Sequence, residues 1–339
     1  MSYRSILPPY LLKELAKRNP KSPAFLDTLK LTEKLFKETP DDSVIQLVRA
    51  GAPEGKAIRI IYSANNTEDL PGTVVRSEKD KPVKDKVVND AFTYHGNTRD
   101  FYAKVFKRNS VDDNGMNLIG TVHYSQNYDN AFWDGSQMIY GDGDGDVFAT
   151  FVLIDVIGHE MSHGVTQFTS NLDYEGQSGA LNEHFSDVMG VLVRQFTNNL
   201  TADKDSWLIG PGIFTPSVKG RALRDMLNPG TAYDDPRLGK DPQPASMDAY
   251  VETEEDNGGV HLNSGIPNRA FALFAKAVGG YAWEVAGQVW YNTNSGSNHV
   301  DSNADFKTFA AKTVEVCTKM FPTQVRKLKL AWAAVGIHV

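Results

Sequence analysis

The chain has 339 residues, of which 41% are hydrophobic, and a formal net charge of −7. This much apolar sequence can build a large core, which we expect to divide between two lobes. A nucleic-acid-binding protein normally carries a basic patch or a basic total, so we predict no nucleic-acid partner.

No apolar stretch reaches the ~18 residues of a membrane span, and the N-terminal residues lack the apolar run of a signal peptide. We therefore predict no membrane partner. We expect the protein either to stay in the cytoplasm or to be secreted by an unconventional route.

Residues 1–50 have the pattern of a small, separate and partly helical segment. Apolar residues recur at helical spacing over 11–17 and 25–36, and Pro8, Pro9 and Pro20 interrupt this pattern. The segment contains no cluster of reactive side chains.

The next part of the chain mixes strands and helices. The pattern predicts strands over 58–62 and 118–124 and a helix over 88–106. The glycine- and aspartate-rich run 140–146 lacks the later glutamate of an EF-hand, and a tight turn explains it better than a calcium loop.

Helical patterns dominate from 147 to 196, a proline-rich loop region follows Trp207, and 266–339 is predicted to be helical. Strands early in a chain and helices late in it indicate an α+β protein.

The segment His159-Glu160-Met161-Ser162-His163 places two histidines four residues apart. On a helix these lie on one face, so both imidazoles can reach one zinc ion. Glu160 points near the open coordination position, where it can take a proton from the metal-bound water. Histidines at this spacing also occur as surface or satisfied core residues, so the pattern alone leaves both interpretations open.

A catalytic zinc site needs a third protein ligand and an open position. Glu183 and Asp187 lie four residues apart on an apolar helix, where carboxylates are costly to bury unless they are paired or metal-bound. Glu183 is therefore the best third ligand, and Asp187 is the best acceptor for the free N–H of a liganding imidazole. The alternative is a carboxylate stabilised only by the N-terminus of its helix.

Peptide hydrolysis also needs a donor for the developing oxyanion. His261 lies in a glycine-rich run with Asp256 nearby. Asp256 could hold His261 in its protonated form, which would then donate to the tetrahedral intermediate. A histidine in such a run, taken alone, is more often structural.

Together these motifs make the chain similar to the thermolysin family of zinc metallopeptidases, and its short leader resembles the protealysin-like precursors. The resemblance extends from about Tyr124 to the C-terminus and is carried by 130–135, 140–145, the histidine helix, 179–187 and 256–265. It implies an α+β, two-lobed fold: a propeptide over 1–50, a mixed catalytic lobe with the zinc helix over 51–170, and a helical lobe over 171–339.

The resemblance implies a zinc-dependent endopeptidase that hydrolyses proteins or peptides before bulky apolar residues. It implies a self-processing precursor, whose leader blocks the cleft as an intramolecular inhibitor. Pro8-Pro9-Tyr10-Leu11 fits the leader motif loosely, with Tyr10 in place of a leucine. We expect the cut that releases the leader between 48 and 56.

The resemblance also implies individual roles. One zinc ion would be bound by His159, His163 and Glu183, with Asp187 supporting His159. Glu160 would be the general base. The oxyanion would be stabilised by His261 and Tyr174, with Asp256 orienting His261. The substrate would be bound by Asn130, Ala131 and Arg224 and by an apolar pocket of Phe148, Val156 and Leu223.

One departure from the family concerns calcium. Asp155 matches a ligand of the family's double calcium site, but Arg194 stands where a glutamate is expected, and 206–211, which matches the acidic loop, has no carboxylate. A divalent cation needs several oxygen ligands. We therefore predict that the double site is absent and that Arg194 pairs with Asp155.

Two other functions stay open. A non-catalytic zinc-binding interaction protein could share the fold, although it should have lost Glu160, His261 or a ligand, and all of these are present. An exopeptidase would need an element that closes the cleft, and the sequence shows none.

Overall fold

The computed structural model describes residues 4–35 and 57–339. In these ranges the helices are α1 (Pro9–Arg18), α2 (Ala24–Leu35), α3 (Lys86–Phe106), α4 (Ile154–Gln167), α5 (Gly176–Thr197), α6 (Asp256–Asn263), α7 (Gly265–Val278), α8 (Ala286–Ser295), α9 (Phe306–Met320) and α10 (Val325–Ala333). The strands are β1 (Arg4–Ser5), β2 (Arg59–Ser63), β3 (Thr73–Ser77), β4 (Leu118–Val122), β5 (Ala131–Trp133), β6 (Met138–Tyr140), β7 (Leu208–Ile209), β8 (Arg224–Asp225), β9 (Asp234–Asp235) and β10 (Gly239–Lys240).

The main sheet has the strand order β1-β5-β6-β4-β2-β3. Its central pairs β2–β4 and β4–β6 are parallel, while β2–β3, β5–β6 and β1–β5 are antiparallel. Strand β1 comes from the leader and pairs Arg4 with Trp133 and Ser5 with Phe132. The leader therefore adds an edge strand to the sheet of the catalytic lobe.

The two leader helices dock through their apolar faces. Helix α1 begins at Pro9, whose fixed φ suits the first helical position. Its buried residues Leu11, Leu12 and Leu15 and Phe25 of α2 belong to the same hydrophobic core as the catalytic lobe. The end of α2 joins a second cluster with three aromatic residues of that lobe, namely Tyr124, Tyr128 and Phe132.

Helices α4 and α5 are almost wholly buried and cross at two glycines. A Cβ at Gly190 would lie 2.4 Å from the carbonyl oxygen of Asp155, and a Cβ at Gly158 would lie 3.0 Å from the Cα of Gly190. Real Cβ atoms do not approach backbone so closely, so the crossing requires glycine at position 190. This close crossing packs the backbone of α4 around His159 directly against α5.

Helical structure in the region 147–196 begins later than the sequence pattern predicts. Residues before Ile154 are extended, because Ala149 donates to Ile213 and Thr215 donates to Val147 across a neighbouring loop. The loop between α4 and α5, which the spacing of His163 and Glu183 leaves room for, contains Asn171 with a φ of 48°.

Other predicted elements shift by a few residues. Helix α3 begins at Lys86, because Asp85 caps it by accepting from Val87 and Val88. Strand β4 ends at Val122, because His123 takes a left-handed φ of 54°. Phe36, predicted at the end of the second leader helix, lies outside the described residues.

The second half of the chain holds the helices α5 to α10, with short strand pairs in the predicted loop region. Helix α6 starts irregularly, with positive φ at Asn257, Gly258 and Gly259. Across the described ranges, no helix combines the length and the apolar character needed to cross a bilayer.

Candidate metal centre and active site

Three side chains from α4 and α5 converge in the interior. His159 and His163 lie one turn apart on α4, Glu183 faces them from α5, and none is more than 1% exposed. The two Nε2 atoms are 3.0 Å apart, and oxygens of Glu183 lie 3.4 Å from His159 Nε2 and 3.3 Å from His163 Nε2. One ligand atom from each residue lies within 4.8 Å of the others.

The outer nitrogens of both imidazoles already have acceptors. His159 Nδ1 lies 2.9 Å from the Asp187 carboxylate, and His163 Nδ1 lies 2.8 Å from the Asn182 amide oxygen. With Nδ1 protonated, a neutral imidazole carries its lone pair on Nε2. Two lone pairs and the Glu183 carboxylate then face one another, an arrangement that a cation stabilises. Two imidazoles and one carboxylate are a donor set of catalytic zinc, so the residues fit this ion.

Glu160 follows His159 on α4 and is fully buried. Neither of its carboxylate oxygens accepts a hydrogen bond of normal geometry from the described residues. Burial raises the pKa of Glu160 well above its ordinary value. A buried carboxyl group without donors costs free energy, so this side chain does not serve the stability of the fold.

His261 faces the same cluster from α6. Its Nδ1 lies 2.7 Å from Asp256 Oδ1, and its Nε2 lies 2.8 Å from the carbonyl oxygen of Ser5. A carboxylate and a carbonyl can only accept, so both ring nitrogens donate and His261 is an imidazolium. Burial is the largest single effect and opposes this charge, but the carboxylates of Asp256 and Glu183 together outweigh it and raise the pKa of His261 to about 9.

Tyr174 lies in the segment between α4 and α5. Its hydroxyl donates to Glu183 and lies 3.4 Å from His261 Nε2. Burial raises the pKa of Tyr174 well above its ordinary value, so the hydroxyl keeps its proton. Tyr174 and His261 therefore present two donors on one side of the metal-ligand cluster.

The leader backbone follows the edge of β5 into this site. Ile6 N donates to the Ala131 carbonyl oxygen over 3.0 Å. Leu7 N donates to Asn130 Oδ1 over 3.0 Å, and Asn130 Nδ2 donates back to the Leu7 carbonyl over 3.3 Å. Asn130 and Ala131 thus bind an extended peptide by its backbone.

Arg224 contacts both the leader and the site. Its Nη1 donates to the Ile6 carbonyl over 3.2 Å, while Nε and Nη2 form a bidentate pair with Asp187 at 2.8 and 2.7 Å. Asn268 also donates to Asp187, over 2.9 Å. Asp187 therefore contacts both Arg224, which binds the leader, and the imidazole of His159.

The three residues expected to form an apolar pocket are buried. Phe148, Val156 and Leu223 belong to one continuous hydrophobic core that also contains Ile6, which is fully buried. The leader thus places a bulky aliphatic side chain in this core, next to the backbone groups that bind it.

Arg194 lies between two carboxylates near the start of α4. It donates to Asp155 through Nη1 and to both oxygens of Asp205 through Nη2, at 3.2 and 3.0 Å. Gly210 N also donates to Asp155, over 3.0 Å. Residues 206–211 have no carboxylate, but Asp205, which was not among the residues predicted from the sequence, directly precedes them.

Sequence reasoning missed several other residues of the site. Asn182 was detectable, because a buried amide on an apolar helix needs a partner. No local signal singled out Asn268. Arg4 was also missed; it donates to the His163 carbonyl over 2.9 Å and lies 5.8 Å from the centroid of the Tyr174 ring.

The class of protein follows from the way in which the cleft binds the extended backbone of the leader. An extended backbone lies as an added strand beside a buried cluster that fits a metal ion, with the Glu160 carboxyl group next to it. This combination defines a metallopeptidase.

The chain belongs to the thermolysin family. Residues 35–167 match the family model "Thermolysin metallopeptidase, catalytic domain", and residues 170–337 match "Thermolysin metallopeptidase, alpha-helical domain". The protein is therefore a zinc metalloendopeptidase with a mixed N-terminal lobe and a helical C-terminal domain.

Individual relatives refine this assignment. The chain is 48% identical over 289 residues to "Extracellular metalloprotease" of Pectobacterium carotovorum subsp. carotovorum, covering 85% of this chain and 83% of the relative. It is 45% identical over 350 residues to "Protease PrtS" of Photorhabdus sp. (strain Az29), covering 100% and 93%.

A solved structure described as a precursor of protealysin, the metalloproteinase from Serratia proteamaculans, superimposes with a TM-score of 0.90 at 48% identity, covering 98% of this chain and 99% of that one. The chain is thus protealysin-like, and the match to a precursor agrees with an N-terminal propeptide.

Proposed function

We propose that this protein cleaves internal peptide bonds before bulky apolar residues and is made as an autoinhibited, self-processing precursor. One observation carries the proposal: the leader backbone from Ser5 to Leu7 lies in the cleft as a substrate would. Its polar groups are bound by Asn130, Ala131, Arg224 and His261.

The zinc ion would be held by His159, His163 and Glu183. When bound, it supplies Lewis acidity that polarises the substrate carbonyl and acidifies water. Glu160 then accepts the proton of the attacking water, because it is the unpartnered carboxyl group beside the ligands. The same side chain passes that proton to the leaving amine.

The negative charge that develops on the carbonyl oxygen is stabilised by His261 and Tyr174. Asp256 keeps His261 charged, so the imidazolium donates without a prior proton transfer. Preorganised donors of this kind cost no reorganisation during the reaction.

The substrate is positioned by its backbone and by one side chain. Asn130 and Ala131 pair with the backbone, and Arg224 binds the carbonyl of the residue after the scissile bond. That residue's side chain enters the pocket of Phe148, Val156 and Leu223, because burying a bulky apolar group there is favourable.

Residues 1–50 act as the propeptide, followed by lobes over 51–170 and 171–339. The leader inhibits by occupying the cleft, and self-cleavage between 48 and 56, outside the described residues, separates it from the mature enzyme. The name "Extracellular metalloprotease" of one relative supports an action outside the cell.

The mechanism is tested by replacing Glu160 with alanine. We expect kcat/KM for a blocked dipeptide to fall about 10²- to 10⁴-fold, because general-base catalysis is lost. Metal analysis should show the zinc content unchanged. Glu284→Ala, at an exposed position, is the matched control and should keep full activity.

Two results would contradict the proposal. Turnover by Glu160→Ala close to that of the control would remove Glu160 from the mechanism. A zinc-loaded mature wild type without any turnover would favour the non-catalytic interaction protein instead.

A further inference from the structure

The leader enters the cleft with a defined polarity and register. Strand β1 runs antiparallel to β5, and the chain continues through Ile6 and Leu7 along the same edge. Each backbone group from the Ser5 carbonyl to the Leu7 carbonyl meets a partner of the cleft, so the register of this stretch is set by directional hydrogen bonds.

The Ser5 carbonyl occupies the position of a reacting carbonyl. Its oxygen lies 2.8 Å from His261 Nε2, and the Tyr174 hydroxyl lies 3.4 Å from the same nitrogen. His261 Nε2 is also 3.4 Å from Glu183 Oε2, which places this carbonyl beside the metal ligands. The bond that follows this carbonyl is Ser5–Ile6.

The residue after that bond has the properties of the preferred one. Ile6 is bulky, apolar and fully buried, its N–H is bound by Ala131 and its carbonyl is bound by Arg224. A leader that ran in the opposite direction, or placed a polar residue here, would block the cleft without offering a bond to cut. This leader offers one.

We propose that the precursor hydrolyses its own Ser5–Ile6 bond, as a processing step separate from the cut that releases the leader. Water adds across the amide: the C–N bond breaks, a C–O bond forms at the Ser5 carbonyl carbon, and a proton goes to the Ile6 nitrogen. Ser5 becomes a C-terminal carboxylate and Ile6 an N-terminal amine. The inference rests on the peptidase activity proposed above.

The cut opens only one half of the cleft. Arg4 and Ser5 are held by the two backbone pairs of β1, by the contact of the Ser5 carbonyl with His261 and by the contacts of Arg4 with His163 and Tyr174. From Ile6 onward the leader stays anchored by Asn130, by Arg224 and by the buried face of α1. The trimmed leader therefore remains bound as a product-like inhibitor.

The experiment follows the full-length, zinc-loaded precursor by intact mass and N-terminal sequencing. We expect a leader that begins at Ile6, whether or not it is still joined to the enzyme. Its formation should be first order and independent of protein concentration over a 100-fold range. The Glu160→Ala precursor should keep the bond.

Two leader variants test the register. Ile6→Leu keeps a bulky apolar side chain and should be cut at the same bond. Ile6→Gly removes the side chain from the pocket, so we expect its rate to fall at least about 10-fold. If Ile6→Gly weakens docking of the leader, the wild type and Ile6→Leu still decide the outcome.

The inference is overturned if the wild-type bond stays intact while the mature form hydrolyses a blocked dipeptide, in which case the proposed function stands. A rate proportional to concentration also overturns it, because one molecule then cuts another. Failure of both reactions would end the inference together with the proposed function.

Discussion

At the residue scale, Arg194 lies between Asp155 and Asp205 at a buried position next to the zinc helix. One guanidinium with several donors contacts both carboxylates, and the backbone N–H of Gly210 contributes a further donor. An internal cation thus stands where the family's calcium ligands would be expected.

We predict that Arg194→Ala lowers the free energy of unfolding by about 3–5 kcal/mol, because two buried carboxylates lose their counter-charge. Urea unfolding measures this, in a Glu160→Ala background that prevents self-digestion. Lys319→Ala, which breaks an exposed ion pair with Glu315, is the control and should leave the free energy of unfolding nearly unchanged, because water and salt screen exposed pairs. Equal effects of the two variants would contradict the role given to Arg194.

A second residue, His123, makes the stability of the catalytic lobe depend on pH. His123 lies between two carboxylates, with Nδ1 2.8 Å from Asp142 and Nε2 3.0 Å from Asp85. The hydrogen bond to Asp142 is the main reason why the pKa of His123 is raised above its ordinary value. The charged form is therefore favoured in the folded state.

The raised pKa of His123 determines the direction in which the free energy of unfolding changes with pH. The contribution of His123 is fully present below the ordinary histidine pKa of about 6.5 and is lost as the pH rises through the folded-state pKa. We predict that His123→Gln is destabilising at pH 5.5 and that its deficit shrinks as the pH rises. Urea midpoints across pH measure it, with the exposed His338→Gln as control. A deficit independent of pH would exclude this linkage.

At the element scale, we expect the leader helices to hold strand β1 in the cleft. Leu12 of α1 is fully buried in the core shared with the catalytic lobe, whereas Leu26 of α2 is 47% exposed. Strand β1 alone has two residues, which is too short to bind firmly without this packing.

We predict that Leu12→Ala weakens leader docking by about 2–5 kcal/mol, because it removes buried methyl groups and leaves a cavity. The precursor should then hydrolyse a blocked dipeptide faster and convert sooner to the mature form. Leu26→Ala is the matched control and should behave like the wild type. If both variants remain equally inhibited, helix packing does not hold the strand in the cleft.

The crossing of helices α4 and α5 is a second feature at this scale that matters for function. Gly190 lies seven residues after Glu183, and Gly158 lies directly before His159. Because 183, 187 and 190 fall on one helical face, the close contact at Gly190 also turns Glu183 and Asp187 toward the histidines. The candidate metal ligands are thus aligned by backbone packing.

At the scale of the whole molecule, zinc and calcium should have different effects. A ligand that binds only the folded state stabilises it in proportion to its occupancy. The described residues supply a zinc-type donor set at His159, His163 and Glu183, while Arg194, which stands where the family resemblance implied a calcium-binding glutamate, pairs with Asp155.

We predict that EDTA or 1,10-phenanthroline abolishes activity by removing zinc, whereas EGTA and micromolar calcium leave Tm nearly unchanged. Differential scanning fluorimetry of the Glu160→Ala variant and peptidase assays of the wild type measure the two effects. A strong rise of Tm with micromolar calcium would show that a calcium site exists after all.

Much of the catalytic centre was predictable from spacing along the chain. His159 and His163, and likewise Glu183 and Asp187, share a helical face because residues four apart on a helix are neighbours. A similar argument made Glu183 the candidate third ligand, since a carboxylate on a buried helix needs a partner. The roles of Tyr174, Arg224 and Asn130 came only from the family resemblance.

By itself, the sequence determined the local chemistry: which side chains share a helix face, where charge would be buried, and that Arg194 replaces an expected acidic ligand. Only the tertiary structure decided which residues meet across the fold. Arg4 contacts the carbonyl of His163, 159 positions away, and Asp205 completes the partners of Arg194. The physical reason is that periodicity describes neighbours within one helix or strand, whereas contacts between elements depend on how glycines, turns and apolar faces pack the whole chain.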